Sequence, residues 1–433
     1  MPGLLSNCLE VPIKKPQRNL GLTESGPRFF INILLTLKPK SMKISILRTF
    51  KIMSFLLTAA PAFFFTTYQL FLAGKGISIL EMSLINAAFM FSVFILEVPT
   101  GAFADSFGRR RSIIFGCLAW GLSFYVYFFS DHLLAFIAAE IIGAFGYTLI
   151  SGALEAWIVD SLRWQESQVS LEKIFRQEEH YKQAGIIIGS FAGALLGGHN
   201  LALPWLFSGT GMFLAALAAF IFMREPYFQR QRLRFSFAPL RQTAQTSWQQ
   251  GKGNPAFLRL AVISAVLAMS VQALNMQWTL FFREGFKMPM WSLGLIFSGV
   301  ALAIALGARL APLVAKKQGH EGQGLALAFV LTGLMMVFSG QVAIFLPALL
   351  FFLIHELGRG LFGPLKKAAM NRRLQQENRA TMLSLESMGV HAGAFLGLIG
   401  SGWLGSHYSI GLAWTSSGLL LIMLAPFIWK KGL

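Results

Sequence analysis

Twelve apolar runs, each close to the roughly 20 residues a helix needs to cross a bilayer, account for most of this chain. They cover approximately residues 50–73, 77–100, 112–129, 133–158, 183–201, 204–223, 257–282, 291–314, 324–340, 343–363, 381–403 and 408–429, taken in order as spans 1 to 12. The ninth is the shortest and is edged by glycine. Inside hydrocarbon a backbone must satisfy its own N–H and C=O groups, and runs of this length do so as helices. Composition agrees: 55% of residues are hydrophobic and 13% charged, about half the ~25% charge of a water-facing domain. Forty-one Phe stand against seven Tyr, as lipid-facing positions favour. The expected fold class is an all-α polytopic membrane protein with 12 transmembrane helices in two pseudo-symmetric six-helix halves. Cys8 and Cys117 are the only cysteines, so neither a disulfide scaffold nor a cysteine metal site is expected.

The formal net charge of +18 invites a nucleic-acid reading, but its distribution points to topology. With the N-terminus inside, the outward gaps contain only Lys75, Arg283 and Lys287 of the 37 basic residues. Such asymmetry orients membrane helices, cationic loops staying cytoplasmic. Both termini are therefore expected in the cytoplasm and the protein in the cell inner membrane, with no nucleic-acid partner. Residues 1–48 form an N-terminal extension, expected to be disordered or a misassigned start. Residues 1–41 hold no run long enough to span, and translation is expected to begin at Met42, where MKISILRTFKIM leads into span 1. The first half is 49–223, a cytoplasmic linker follows over 224–256, and the second half is 257–433. The linker's Arg/Phe spacing suits either a short amphipathic helix at the membrane surface or a solvated connector.

The loop after span 2 reads GAFADSFGRRRS, Gly101 to Ser112. Gly101, Asp105, Gly108, Arg109, Arg110 and Arg111 fit the pattern G-x-x-x-D-x-x-G-R-[RK]-[RK], and the chain resembles the major facilitator superfamily over the bundle from about residue 50 onward. Each position has a physical reason. Gly101 is expected to let two helices approach closely. Gly108 permits a turn that a Cβ would hinder, and Asp105 is a short anion suited to a helix N-terminus. In that family the loop latches the two halves on the cytoplasmic side. The resemblance implies that Asp105 faces the start of span 11 near Thr381, and that Arg109 or Arg110 reaches Asp160 at the end of span 4. Glu155 and Asp160 are expected as gate partners.

A decayed second copy follows span 8, with Gly307, Lys316, Lys317 and Gly319 but no acid, and AEIIGAFG in span 4 resembles IHELGRGLFG in span 10. Such repetition suits transporters that alternate between two openings. The drug-exporting branch often carries an arginine in span 4 and a Gly-Pro pair in span 5. Here Glu140 and Ser190 occupy those places. Gly185, Gly189, Gly193 and Gly197 form a row that implies a close helix contact. Pro61 implies a kink or a packing site in span 1.

Ionisable groups inside the membrane default to functional candidates. The resemblance implies that spans 1, 4, 7 and 10 line a central cavity, and those spans carry Tyr68 and Gln69, Glu140 and Tyr147, Gln272 and Asn275, and His355, Glu356 and Arg359. These nine are the expected substrate and proton cavity, with Glu140 as the coupling residue. A permanent pair of Glu140 with Arg359, or a hydrogen bond to His355, is the alternative. HELGR is not the zinc motif HExxH, since Arg359 stands at the second histidine position, and no metal or cofactor is expected. Adjacent helical residues point about 100° apart, so at most one of His355 and Glu356 faces the cavity. No constellation suggests an enzyme. The expected function is secondary transport of a small organic solute by alternating access, as proton-coupled efflux of an amphipathic or cationic molecule. The partners are then the solute, protons and the bilayer, and the chain is a monomer. Uptake of a metabolite or metal chelate is one alternative, and a non-transporting receptor or assembly factor is another.

Overall fold

The structure is a computed structural model that describes residues 46–228, 254–314, 321–373 and 379–430. The readings on residues 1–45, on the body of the linker and on Lys316, Lys317 and Gly319 lie outside the described residues. So does the side chain of Thr381.

The described chain is all-helical. Span 1 is split into α1 (Ile46–Ala62) and α2 (Tyr68–Gly74). Pro61 is the penultimate residue of α1, and the chain turns over Phe63–Thr67 before helix resumes. Phe64 N–H donates to Pro61 O and Phe65 N–H to Ala62 O, short-range bonds in place of a continuing α-ladder. Spans 2 and 3 are α3 (Ile79–Phe107) and α4 (Arg109–Phe129). Span 4 is also divided, contrary to the continuous run expected over 133–158. It forms α5 (Leu133–Ile150) and α6 (Ala153–Trp164), broken at Gly152, whose φ of 70° is left-handed. A hydrophobic run does not register such a break, because one glycine costs an apolar pattern little.

Span 5 is α7 (Leu171–His199), twelve residues longer at its start than its apolar run. The added turns are charged and hold an i,i+4 pair, Glu178–Lys182, at 2.7 Å. Span 6 is α8 (Leu203–Phe222). The second half comprises α9 (Pro255–Gly285), α10 (Met290–Val314), α11 (Glu321–Gln341), α12 (Phe345–Arg373), α13 (Arg379–His407) and α14 (Ile410–Lys430). The short ninth run is thus a full helix. By length and composition, nine spans among the described residues qualify to cross a membrane. The broken span 1, the half-charged α7 and the Gly/Ser-rich α13 complete twelve by occupying equivalent places in the bundle.

That equivalence shows in the packing. Within the first half α1 packs on α7 and α8, α5 on α3 and α4, and α4 on α8. Within the second, α9 packs on α13 and α14, α12 on α10 and α11, and α11 on α14. The pairings are the same in the same order. Between halves the main contacts are α3 with α13 and α7 with α10, which again exchange under the repeat. In lipid no hydrophobic effect drives helices together, so close backbone approach matters most. Gly185 and Gly189 of α7 rest on the α1 backbone and Gly193 on the backbone of the turn after it, and Gly393 and Gly397 of α13 rest on α9 in the same way. Large side chains such as Trp157, Trp205 and Trp414 are buried between helices, whereas Phe129 and Leu134 lie three-quarters exposed, as at a lipid boundary.

Candidate functional site

The break after Pro61 sets the first wall of a central cavity of about 460 Å³. Thr66 Oγ1 donates to Ser190 O on α7 at 3.3 Å, tying the turn to its neighbour. Helix α2 then starts with Tyr68 and Gln69, both lining the cavity. Gln69 bridges the halves: Thr279 of α9 donates to its Oε1 at 2.9 Å, and its Nε2 lies 3.5 Å from Asn275 O. Asn86 of α3, which sequence reasoning missed, joins this wall.

The second half supplies the opposite wall. Trp278 stacks between Phe297 and Phe352, at 5.8 and 6.0 Å between ring centres. Gln272, Asn275, Glu356 and Arg359 provide the polar atoms. Arg359 Nη1 donates to Glu356 Oε1 and Oε2 at 2.8 and 2.9 Å, and to Asn275 Oδ1 at 3.0 Å. Asn275 Nδ2 in turn faces Gln272 Oε1 at 3.4 Å. Glu356 faces the cavity and His355, fully buried, does not, which the 100° angular step requires of neighbours.

Besides His355, two more of the expected cavity residues stand elsewhere. Glu140 sits behind Tyr68 rather than in the wall. Its Oε1 accepts from Tyr127 at 2.6 Å and from Tyr68 at 3.0 Å, and neither Arg359 nor His355 touches it. The alternative pairing is therefore excluded: Arg359 is engaged within the second half, while Glu140 is held inside the first. Trp205 stacks on Tyr127 at 4.0 Å with nearly parallel planes, fixing the ring that holds the carboxylate. Tyr147 lines a separate cavity of about 360 Å³ with Glu155, Glu178 and Lys182. The reason is again local. The left-handed break at Gly152 and the charged extension of α7 create a second polar chamber toward the motif end.

At the motif, Gly108 has φ 99°. The turn brings Asp105 and Arg109 together as an i,i+4 ion pair at 2.5 Å, with Asp105 62% exposed. Arg110 donates from Nη2 to Phe220 O at 2.5 Å and lies over the Phe220 ring. Arg111 is exposed. Among the described residues neither Arg109 nor Arg110 pairs with Asp160, contrary to expectation. The neighbouring positions are taken by the chain after α8: Trp157 Nε1 donates to Arg224 O at 3.0 Å, and Tyr227 OH lies 3.2 Å from Ser161 Oγ. Glu155 pairs with Lys182 at 3.1 Å rather than with the motif.

The anion at the start of α4 is Glu225, not Asp105. Glu225 Oε1 accepts the Arg109 N–H at 2.8 Å, satisfying a helix-end donor and favouring the positive end of the dipole. Burial nonetheless raises the Glu225 carboxyl above its usual range, against the lowering pull of those N–H groups and the two arginines. Sequence reading missed it because Glu225 is a single acid opening a basic stretch. Gly101, expected at a close approach, has open space within 4 Å of its Cβ position, as does Gly363 at the same end. The close cross-half approaches lie toward the other end, where Ser83 meets Gly402 and Met290 meets Gly197.

The model of the Major Facilitator Superfamily matches residues 51–168. The chain is 24% identical over 286 residues to Multidrug resistance protein 2 of Bacillus subtilis (strain 168), covering 64% of this chain and 69% of that one. It is 30% identical over 175 residues to the uncharacterized MFS-type transporter YxaM of the same organism, covering 39% of this chain and 41% of the relative. Among solved structures, the nucleoside transporter NupG superposes with a TM-score of 0.74 at 15% identity, over 90% of this chain and all of that one. A bacterial homolog of the human lysosomal transporter Spinster, inward-facing and unoccupied, gives 0.68 at 13%, over 89% and 95%. The repeat of six helices about a central cavity, the glycine–arginine loop after span 2 and these likenesses converge: the chain is a multi-pass membrane protein with the fold of these transporters, and its residues 51–168 match the Major Facilitator Superfamily.

Proposed function

We propose that this protein exports a small organic solute from the cytoplasm across the cell inner membrane in exchange for protons, acting as a monomer. The two six-helix halves rock about the α3–α13 and α7–α10 seams, and the motif face is cytoplasmic. The observation that carries the reading is Glu140. It is a carboxylate in the membrane interior whose partners are two tyrosine hydroxyls, with no cation paired to it among the described residues. One of those hydroxyls belongs to Tyr68, which also lines the central cavity. Gain or loss of a proton changes how many donors Glu140 can accept, and Tyr68 passes that change to the cavity wall. Export is supported by the likeness to a relative named for multidrug resistance.

The test uses proteoliposomes with an imposed pH gradient and a panel of labelled solutes. Gradient-driven accumulation is expected in the wild type and lost in Glu140→Gln, which still performs solute–solute exchange. A Glu140→Gln protein that accumulates solute on the gradient as wild type does overturns the assignment.

A further inference from the structure

At the cavity wall, Glu356 and Arg359, with His355 behind them, hold more hydrogen-bonding capacity than their partners use. His355 is completely buried, with Nδ1 against the carbonyl of Phe352. A carbonyl only accepts, so Nδ1 carries a proton. The other ring nitrogen, Nε2, is buried without a hydrogen-bond partner and lies 3.5 Å from Glu356 Oε1. A neutral imidazole and an ionised carboxylate would face each other here with lone pairs only. One proton shared between Nε2 and Oε1 removes that conflict. Whichever atom holds it, the trio then carries the single positive charge of Arg359. The other charged groups acting on His355 are Glu356 and Arg359 of its own helix. From α9 come only the carboxamides of Gln272 and Asn275, and among the described residues α10 and α11 bring no ionisable side chain to the trio.

Arg359 spends one nitrogen on all three of its hydrogen bonds, since Nη1 meets Asn275 and both Glu356 oxygens. Its Nε and Nη2 have no partner among the described residues, and the side chain lines the cavity beside the Trp278–Phe297 stack. A free guanidinium edge matches two carboxylate oxygens in parallel, and the stack offers an aromatic face at the same wall.

Resting on the reading of this cavity as the transport site, we propose that it takes solutes bearing a carboxylate beside an aromatic ring. The carboxylate is forked on the Nε–Nη2 edge of Arg359, and the His355–Glu356 pair holds the opposite edge and leaves the site its positive charge.

The test is equilibrium binding to the purified full-length protein in detergent, using radiolabelled benzoate, 2-naphthoate and indole-3-acetate, each against its matched amide and primary amine. At least one carboxylate is expected to bind about tenfold or more tighter than its amide and amine, the scale of a modest charge-assisted contact. Arg359→Lys keeps the charge, loses the fork and loses the preference. His355→Phe leaves Glu356 ionised and the site neutral, so carboxylate binding weakens by a similar factor, and adding Glu356→Gln restores it. Amides or amines that match the carboxylates across the panel overturn the proposal, and this arm needs no variant to fold. A double variant no better than His355→Phe alone overturns the shared-proton argument. Probe binding is read at equilibrium with no gradient, and the Glu140 assignment only in gradient-driven accumulation, so failure of the coupling assignment and failure of this one read separately.

Discussion

Replacing Gly193 and Gly101 in turn by alanine should move stability in opposite directions. In α7 an ideal Cβ on Gly193 would lie 2.6 Å from the carbonyl carbon of Phe63 and 2.8 Å from its Cα. Ordinary contact begins near 3.4 Å and the Phe63 carbonyl oxygen lies nearer still, so the turn after α1 must retreat by more than an ångström in an interior packed like a crystal. The obstacle is backbone, which cannot swing aside as a side chain does. Overpacking of this kind costs about 1–3 kcal/mol, and its upper end applies here. Alanine recovers up to ~1 kcal/mol of helix preference, leaving Gly193→Ala destabilised by about 2 kcal/mol. Gly101 meets nothing within 4 Å, so Gly101→Ala keeps the preference term alone and gains about 0.5–1 kcal/mol.

Cys117 is wholly buried and reports unfolding through a thiol-reactive dye, in a Cys8→Ser background. The dye-reaction midpoint on heating should fall by several degrees for Gly193→Ala and hold or rise for Gly101→Ala. A midpoint for Gly101→Ala as low as that for Gly193→Ala would refute the reasoning. It would mean that the motif glycine is a packing glycine in this state after all.

Glu225→Ala removes the acceptor at the start of α4 and should cost about 0.5–2 kcal/mol, whereas Glu225→Gln keeps a carbonyl for the Arg109 N–H and costs less. Because burial raises the Glu225 carboxyl, its contribution is fullest below the usual carboxylate range and declines as pH rises through the raised value. Thermal midpoints across that range should show the slope in wild type and lose it in Glu225→Gln; an unchanged slope contradicts the burial argument. For topology, cysteines at Arg111 and Asp131, both exposed, should react with an impermeant thiol reagent from opposite sides of the membrane. Labelling of both from one side would reverse the reading of the whole charge pattern.

The helical class, the number of spans and the motif were legible because each rests on signals local in sequence. An apolar run of ~20 residues has one outcome in lipid, and Gly108 and its flanking charges announce a turn at their own positions. The polar residues of spans 1, 7 and 10 were legible for the same reason, since a polar side chain in hydrocarbon needs a partner wherever it sits. Partner choice was not legible. Glu140 has an arginine, a histidine and several hydroxyls in equivalent spans, and only the packing of α4 and α8 delivers Tyr127, pinned by Trp205, to it. Arg109 has Asp105, Asp160 and Glu225 within plausible reach, and the path of the chain after α8 decides among them.

The sequence by itself determined that this chain lives in a membrane as twelve helices and carries its basic loops on one side, because burial in lipid acts on each segment separately. Only the tertiary structure decided which carboxylate stands with two tyrosines, which with an arginine, and which glycines meet a neighbouring helix. Those outcomes depend on distances between residues as far apart as 210 positions, such as Gln69 and Thr279. No local pattern carries that information.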